Sequence, residues 1–223
     1  FTGMIRLLNM MMGIDSQVVR SRNDKIAIVY AVGAIFTGES QMDLLGSSVL
    51  GSDTVVKALR KANKDPKVKA IVLRVDSPGG SAIASDQIWR EVVTIKKPVI
   101  ASMGDVAASG GYYISMGADK IFVEPGTITG SIGVVGGKLA IGGLLEKVGI
   151  TTDVVSIGKN NGIFSTDSPF TPSEREAITK LMEETYEQFT TKVAEGRKMD
   201  LEKVHDLAQG KIYTGRQAIK NGL

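Results

Sequence analysis

Residues 98–117 read PVIASMGDVAASGGYYISMG. Val99-Ile100-Ala101 is a short apolar run of the kind that forms a buried strand. Gly104, Ala107 and Ala108 follow, then Ser109 and the pair Gly110-Gly111. Tyr112, Tyr113 and Ile114 continue as a helix. A serine between a strand and a helix N-terminus is placed for nucleophilic chemistry. The first N–H groups of a helix have no partner within it and favour negative charge, and glycine lets a substrate backbone approach closely. A tight strand-to-helix turn packed with small residues has the same composition, so the flanking sequence must separate the two readings.

On the N-terminal side, 25–35 (KIAIVYAVGAI) predicts a buried strand broken at Gly33. Residues 37–52 are rich in Gly and Ser, contain Leu44-Leu45, and are expected to form a mobile loop over a groove. Ser52 or Asp53 is positioned to cap a helix over 54–63, with the apolar stripe Val55, Val56, Leu59 and Ala62. A second strand, 68–75, runs into Asp76-Ser77-Pro78-Gly79-Gly80-Ser81 and a helix over 82–95. On the C-terminal side the patterns predict a strand at 120–123, a glycine-rich loop at 127–137, a helix at 138–148 and a fifth strand at 152–157. A polar loop spans 158–169. Thr171 or Ser173 then caps a helix over 174–198 with apolar face Ile178, Leu181, Met182, Tyr186 and Phe189. Short helices follow at 201–209 and 215–221, with Gly222 as C-cap. Alternating strands and helices define an α/β domain with a largely parallel sheet. The expected organisation is an N-terminal helix and linker, 1–24, and one domain, 25–223. The chain begins at Phe1 rather than Met and is read as part of a longer protein.

Composition narrows the chemistry. Among 223 residues, 27 basic side chains face 24 acidic ones, and no basic run has interleaved aromatics, which argues against nucleic-acid binding. With no cysteine, disulfides, thiolate metal sites and a cysteine nucleophile are excluded. One histidine, His205, lies in a polar helical stretch and reads as an exposed helix residue. No segment approaches the roughly 20 apolar residues that span a bilayer, and 1–14 lacks the layout of a signal peptide.

Three glycine-rich loops follow strand-like segments: SPGG at 77–80, ASGG at 108–111 and TGSIG at 129–133. Loops after successive parallel strands open on one edge of a sheet, so the three can line a single groove. No phosphate-binding pattern, neither GxxxxGK[ST] nor GxGxxG, accompanies them. A serine there needs a base. With His205 set aside, the substitute is a lysine whose amine burial keeps neutral, and Lys159 in the polar loop is the in-chain candidate. Its alternative is an ordinary solvated lysine.

Four stretches, KAIVLRVDSPGGSAIASDQIW (69–89), KPVIASMGDVAASGGYYIS (97–115), GTITGSIGVVGG (126–137) and AQGKIYTGRQAIKNGL (208–223), together resemble the signal peptide peptidase A (protease IV) family of serine peptidases. The family occurs in bacteria and chloroplasts, within the Clp protease/crotonase superfamily. The resemblance implies Ser109 as nucleophile, Gly79, Gly80 and Gly110 as oxyanion-hole positions, and Ser131 beside a serine–lysine pair. It implies no metal or cofactor. Peptide substrates such as remnant signal peptides, a homo-oligomeric ring and a membrane-associated site of action, extracytoplasmic or thylakoid, also come with it. One departure stands out. Single-repeat members carry the base lysine in a glycine-lysine-aromatic-lysine loop, whereas this chain has Gly158-Lys159-Asn160-Asn161. In tandem-repeat members the amino-terminal half supplies the lysine. The chain therefore resembles a carboxyl-terminal half whose base comes from a missing repeat. Two other readings stay open: a crotonase-type acyl-CoA enzyme using Asp76 and Asp105, and a catalytically incomplete assembly or peptide-binding module. The ordinary structural roles of those aspartates are a turn bond for Asp76 and a cap for Asp105.

Overall fold

The fold is that of a computed structural model describing residues 23–42 and 48–223. The expected helix at 1–14, the linker up to residue 22 and Leu44-Leu45 lie outside the described residues.

Strand β1 (Lys25–Val32) stops at Gly33, as the glycine break predicted, and β2 (Ala34–Phe36) follows it. Strands β3 (Gln41–Met42) and β4 (Ser48–Gly51) join β2 in a small sheet of order β2-β4-β3. The segment expected as a mobile loop is thus partly paired. Helix α1 (Ser52–Lys64) begins two residues earlier than the expected 54. Gly51 is its N-cap, and Ser52 instead buries its hydroxyl, donating to Gln87 Oε1 at 2.7 Å. Strand β5 (Val68–Ser77), helix α2 (Ala82–Thr94), strand β6 (Val99–Ala108) and the short helix α3 (Gly110–Ser115) follow in the predicted order. Strands β7 (Lys120–Phe122) and β8 (Ile128–Gly130), helices α4 (Gly142–Lys147), α5 (Pro172–Arg197) and α6 (Leu201–Leu207), strand β9 (Ile212–Thr214) and helix α7 (Gly215–Asn221) complete the chain.

The main sheet has the order β1-β5-β6-β8-β9, with β7 also on β6. All its pairs are parallel except β8 with β9. Strand β6 divides one edge between two partners: Ile100–Ser102 pair with β7, and Val106–Ala108 pair with β8. At the change-over the register with β5 shifts between Val75 and Ser77. Asp76 fills that irregularity, its Oδ1 accepting from the Val106 N–H at 3.1 Å. Alternation in β5 buries Ile71, Leu73 and Val75. They meet Leu59 of α1, Ile88 and Val92 of α2 and Ile114 of α3 in one core.

Three expectations are corrected. No strand forms at 152–157 in this chain: Val155 and Ile157 are 97% exposed there. The edge beyond β8 is taken by β9, which was too short to see in the sequence. Helix α4 is shorter than 138–148, with no buried residue. Of the stripe expected along α5 only Phe189 is fully buried, because the N-terminal half of α5 extends past the core. Its N-cap is Thr171, one of the two expected candidates, in a capping box with Glu174, and the helix starts at Pro172 rather than at 174.

Candidate active site

Ser109 closes β6 and opens α3. Its backbone, φ 51° and ψ −118°, lies where non-glycine residues are rare, at a cost of about 1–3 kcal/mol that the surroundings must offset. Two bonds hold it: the Ser109 N–H donates to Gly130 O at 2.9 Å, and the Tyr113 N–H donates to Ser109 O at 2.9 Å. The turn closes only because its neighbours lack side chains. A Cβ on Gly110 would stand 2.5 Å from Ser85 Oγ, and one on Gly79, at φ +100°, would stand 2.6 Å from the Gly110 amide nitrogen.

The 77–81 loop is fixed against β2 by a bridge between Ile35 and Gly80. That bridge uses the Gly79 carbonyl, accepting from Ile35 N–H at 2.9 Å, and the Ser81 N–H, donating to Ile35 O at 2.8 Å. The Gly79 N–H donates to Ser77 Oγ at 3.1 Å. The Gly80 N–H takes no part in the bridge and stands beside Gly110, whose own N–H, at the first position of α3, has no intrahelical acceptor. Two amides next to the serine are the elements of an anion-stabilising pair.

Ser109 lines two cavities, of about 350 and 420 Å³, which share Gly133-Val134-Val135 in their walls. Ser131, Tyr186 and Gln209 line the first. Gly80, Gly110, Ser85, Tyr113, Thr185 and Phe189 line the second. Ser131 also has a positive φ, 52°, held by its N–H donating to Lys211 O at 2.8 Å. The structure thus brings Ser109, Gly79, Gly80, Gly110 and Ser131 together. Sequence reasoning missed Ser85, which sits under Gly110, and the walls Tyr186, Thr185 and Gln209. Only folding brings those distant residues to the serine.

Lys159 is not among them. It is exposed and lines a separate cavity with Thr171 and Ser173 at the N-terminus of α5. The Ser109 cavity reaches α5 at Thr185 and Phe189, and at 1.5 Å per residue the two places are roughly 20 Å apart along the helix. The Lys159 loop is pinned there. Ser173 Oγ donates to Asn160 Oδ1 at 2.7 Å, and the buried Lys138 Nζ donates to Gly162 O at 2.7 Å. Among the described residues, no lysine, histidine or carboxylate lines either Ser109 cavity. His205 stands behind Tyr186, ring centroids 5.8 Å apart. Asp76 is engaged with Val106, and exposed Asp105 lines a different cavity with Glu124 and Arg74. No group of acidic or histidine side chains among the described residues could hold a metal, and no described helix is long and apolar enough to cross a membrane.

A serine on a strand-to-helix turn at the edge of a parallel sheet, with glycine amides beside it, belongs to the Clp-protease class of α/β folds. The structure matches a ClpP1 variant from Listeria monocytogenes with a TM-score of 0.57 and 17% identity, over 87% of this chain and 86% of that one. The sequence matches the Clp protease family over residues 35–127 and Peptidase family S49 over 91–223. The chain belongs to peptidase family S49. It is 40% identical over 203 residues to the chloroplastic serine protease SPPA of Arabidopsis thaliana, and 41% identical over 201 residues to protease 4 of Salmonella typhi. These alignments cover 90% and 89% of this chain but only 30% and 32% of those proteins. A Synechocystis relative is 38% identical over 205 residues, 91% of this chain and 69% of that protein.

Proposed function

We propose that the chain is the nucleophile-bearing unit of a serine peptidase that works with a Ser/Lys dyad, its lysine arriving from another repeat or another subunit. The observation carrying this reading is the absence of any base among the described residues lining the Ser109 cavities, beside two amides suited to an oxyanion. In the proposed reaction Ser109 Oγ attacks a peptide carbonyl while the lysine amine takes its proton. The Gly80 and Gly110 amides hold the oxyanion. The lysine returns the proton to the leaving amine, and water then hydrolyses the acyl-enzyme with the lysine again as base. Ser131, on the same cavity, is suited to hydrogen-bond the incoming amine. Gly79 contributes by its close fit to Ser109, since its own N–H is engaged by Ser77. Lys159, remote from its own Ser109, is the in-chain alternative. Cleaved signal peptides at a membrane surface, with small or apolar side chains at the cut, are the substrate class that the family relationship favours. The acyl-CoA reading loses support because neither Asp76 nor Asp105 lines the serine cavities.

The test compares the purified 223-residue chain with the assembly that supplies the lysine, using a peptide ester and a serine-reactive phosphonate. Loss of the base is expected to slow turnover by about 100- to 10,000-fold in the chain alone, with the phosphonate bound at Ser109 in the assembly. Brisk hydrolysis by the diluted chain, abolished by Lys159→Ala, would replace the external lysine with Lys159. Full activity in Ser109→Ala would remove the serine mechanism altogether.

A further inference from the structure

Helix α3 carries the serine yet has only six residues, too few to hold its own conformation in water. Strand pairing at Ala108 secures one side of Ser109. On the other side the structure offers a second anchor. Tyr113, one turn on, lines the larger Ser109 cavity with its ring, which packs on Phe189 at 4.7 Å and edge-on to Trp89 at 6.3 Å between centroids. Its hydroxyl donates to Asp86 Oδ1 at 2.9 Å and accepts from Lys192 Nζ at 3.0 Å. Lys192 also donates to Asp86 Oδ1 and lies 4.0 Å over the Trp89 ring. Arg90 approaches the other Asp86 oxygen at 3.4 Å from the solvent side. Both charged side chains of the central pair are more than four-fifths buried. Tyr112, the other tyrosine of α3, has no such tether: its hydroxyl is buried without a protein partner.

The three polar groups come from three elements, each of which also reaches the site. Asp86 is on α2, which begins directly after the 77–81 loop. Tyr113 is on the serine helix. Lys192 is on α5, whose Thr185 and Phe189 wall the cavity. We propose that Asp86, Tyr113 and Lys192 form a clamp that fixes Ser109 against the Gly80 amide, with Asp86 and Lys192 acting as positioning residues for acyl transfer. Lys192 is not the general base: its amine is held by a carboxylate, and it reaches the cavity only through Tyr113. The low-dielectric setting makes the clamp stiff, and removing one charge leaves the other uncompensated.

The inference rests on Ser109 being the nucleophile, so Ser109→Ala is run in parallel. In the active assembly, Tyr113→Phe keeps the ring contacts and deletes only the hydroxyl. It is expected to lower kcat by about 10- to 100-fold, the scale of a small misplacement of a reacting group. KM should stay within about twofold, the rate of phosphonate labelling at Ser109 should fall in proportion, and the melting temperature should shift by no more than a few degrees. Lys192→Met should show the same kcat-selective loss. A dead Ser109→Ala alongside a Tyr113→Phe as fast as the parent would sink the clamp alone. A loss in Tyr113→Phe as complete as in Ser109→Ala would overturn positioning in favour of direct proton transfer by the tyrosine. Activity persisting in Ser109→Ala would remove the nucleophile and the clamp together.

Discussion

Ser109 adopts a backbone conformation that glycine would adopt freely. If the strain is held for the sake of the hydroxyl, stability and activity should move in opposite directions. Ser109→Gly is expected to abolish peptide-ester hydrolysis while raising stability by about 0.5–1 kcal/mol, read by urea unfolding. A less stable Ser109→Gly would show that the hydroxyl or its Cβ supports the fold. Gly79 makes the opposite case. A methyl there meets the Gly110 amide at 2.6 Å and Ser109 Cβ at 2.9 Å, on a backbone at φ +100°. Gly79→Ala should therefore push apart the two loops that frame Ser109. A fall in kcat on the order of 100- to 1000-fold is expected, comparable to losing a donor, together with a stability loss of about 1–3 kcal/mol. Near-normal turnover in Gly79→Ala would mean that the loops do not converge during the reaction.

Helices and strands were legible where the signal was local. The apolar run at 99–101 and the glycine pair at 110–111 marked β6, the turn and α3, and Thr171, one of two cap candidates, marked the start of α5. Local pattern failed where partners decide. Val154, Val155 and Ile157 have the composition of a strand, but a strand exists only against a neighbour, and β9 already occupies the sheet edge beyond β8. Three residues of β9 carry too little pattern to compete with the helix start that follows them. Likewise the five apolar residues along α5 specify one helical face, while the reach of the core decides how much of it is covered. The end of α5 shows a local misfit. Lys198 sits in the left-handed region at φ 53°, where helices favour glycine. Lys198→Gly is expected to stabilise the protein by about 0.5–1 kcal/mol, since release of the left-handed strain outweighs the added freedom of the unfolded chain. Thermal melting checks it, and a lower melting temperature would show that the lysine side chain contributes a contact.

Across the whole molecule, the buried tyrosines give a pH signature independent of catalysis. Burial pushes the hydroxyls of Tyr112 and Tyr113 well above the ordinary tyrosine range, and the bond to Asp86 pushes Tyr113 further. Both stay protonated in the folded state when the unfolded chain has begun to ionise. The stability they contribute is complete below about pH 10 and falls as pH rises through and beyond it, by about 1.4 kcal/mol per pH unit for each tyrosine. Urea unfolding between pH 9 and 12 should show the steepening set in near pH 10. Tyr112→Phe should remove about half of the slope. An unchanged slope would assign the alkaline transition to other groups. At the same scale, the serine, its amides and both cavities belong to one chain, whereas the base is proposed to come from outside it. That division was half visible in the sequence: Asn161 signalled the departure from the family loop, but only the fold set Lys159 far from Ser109.

The shared edge of β6 separates two kinds of constraint on the sequence. Strand β7 supports Ile100–Ser102, in the body of the sheet, whereas β8 supports the three residues that lead into Ser109. Thr129 Oγ1 strengthens that upper contact by donating to Ala107 O at 2.7 Å. Substitutions in β7 therefore act mainly on stability, and those in β8 act on both stability and the placement of Ser109. In a saturation-mutagenesis library scored in parallel for abundance and turnover, the two scores should track each other along 120–122 and part company along 128–130. The boundary of mutational tolerance would then run across a single strand, at the level of Met103 to Asp105.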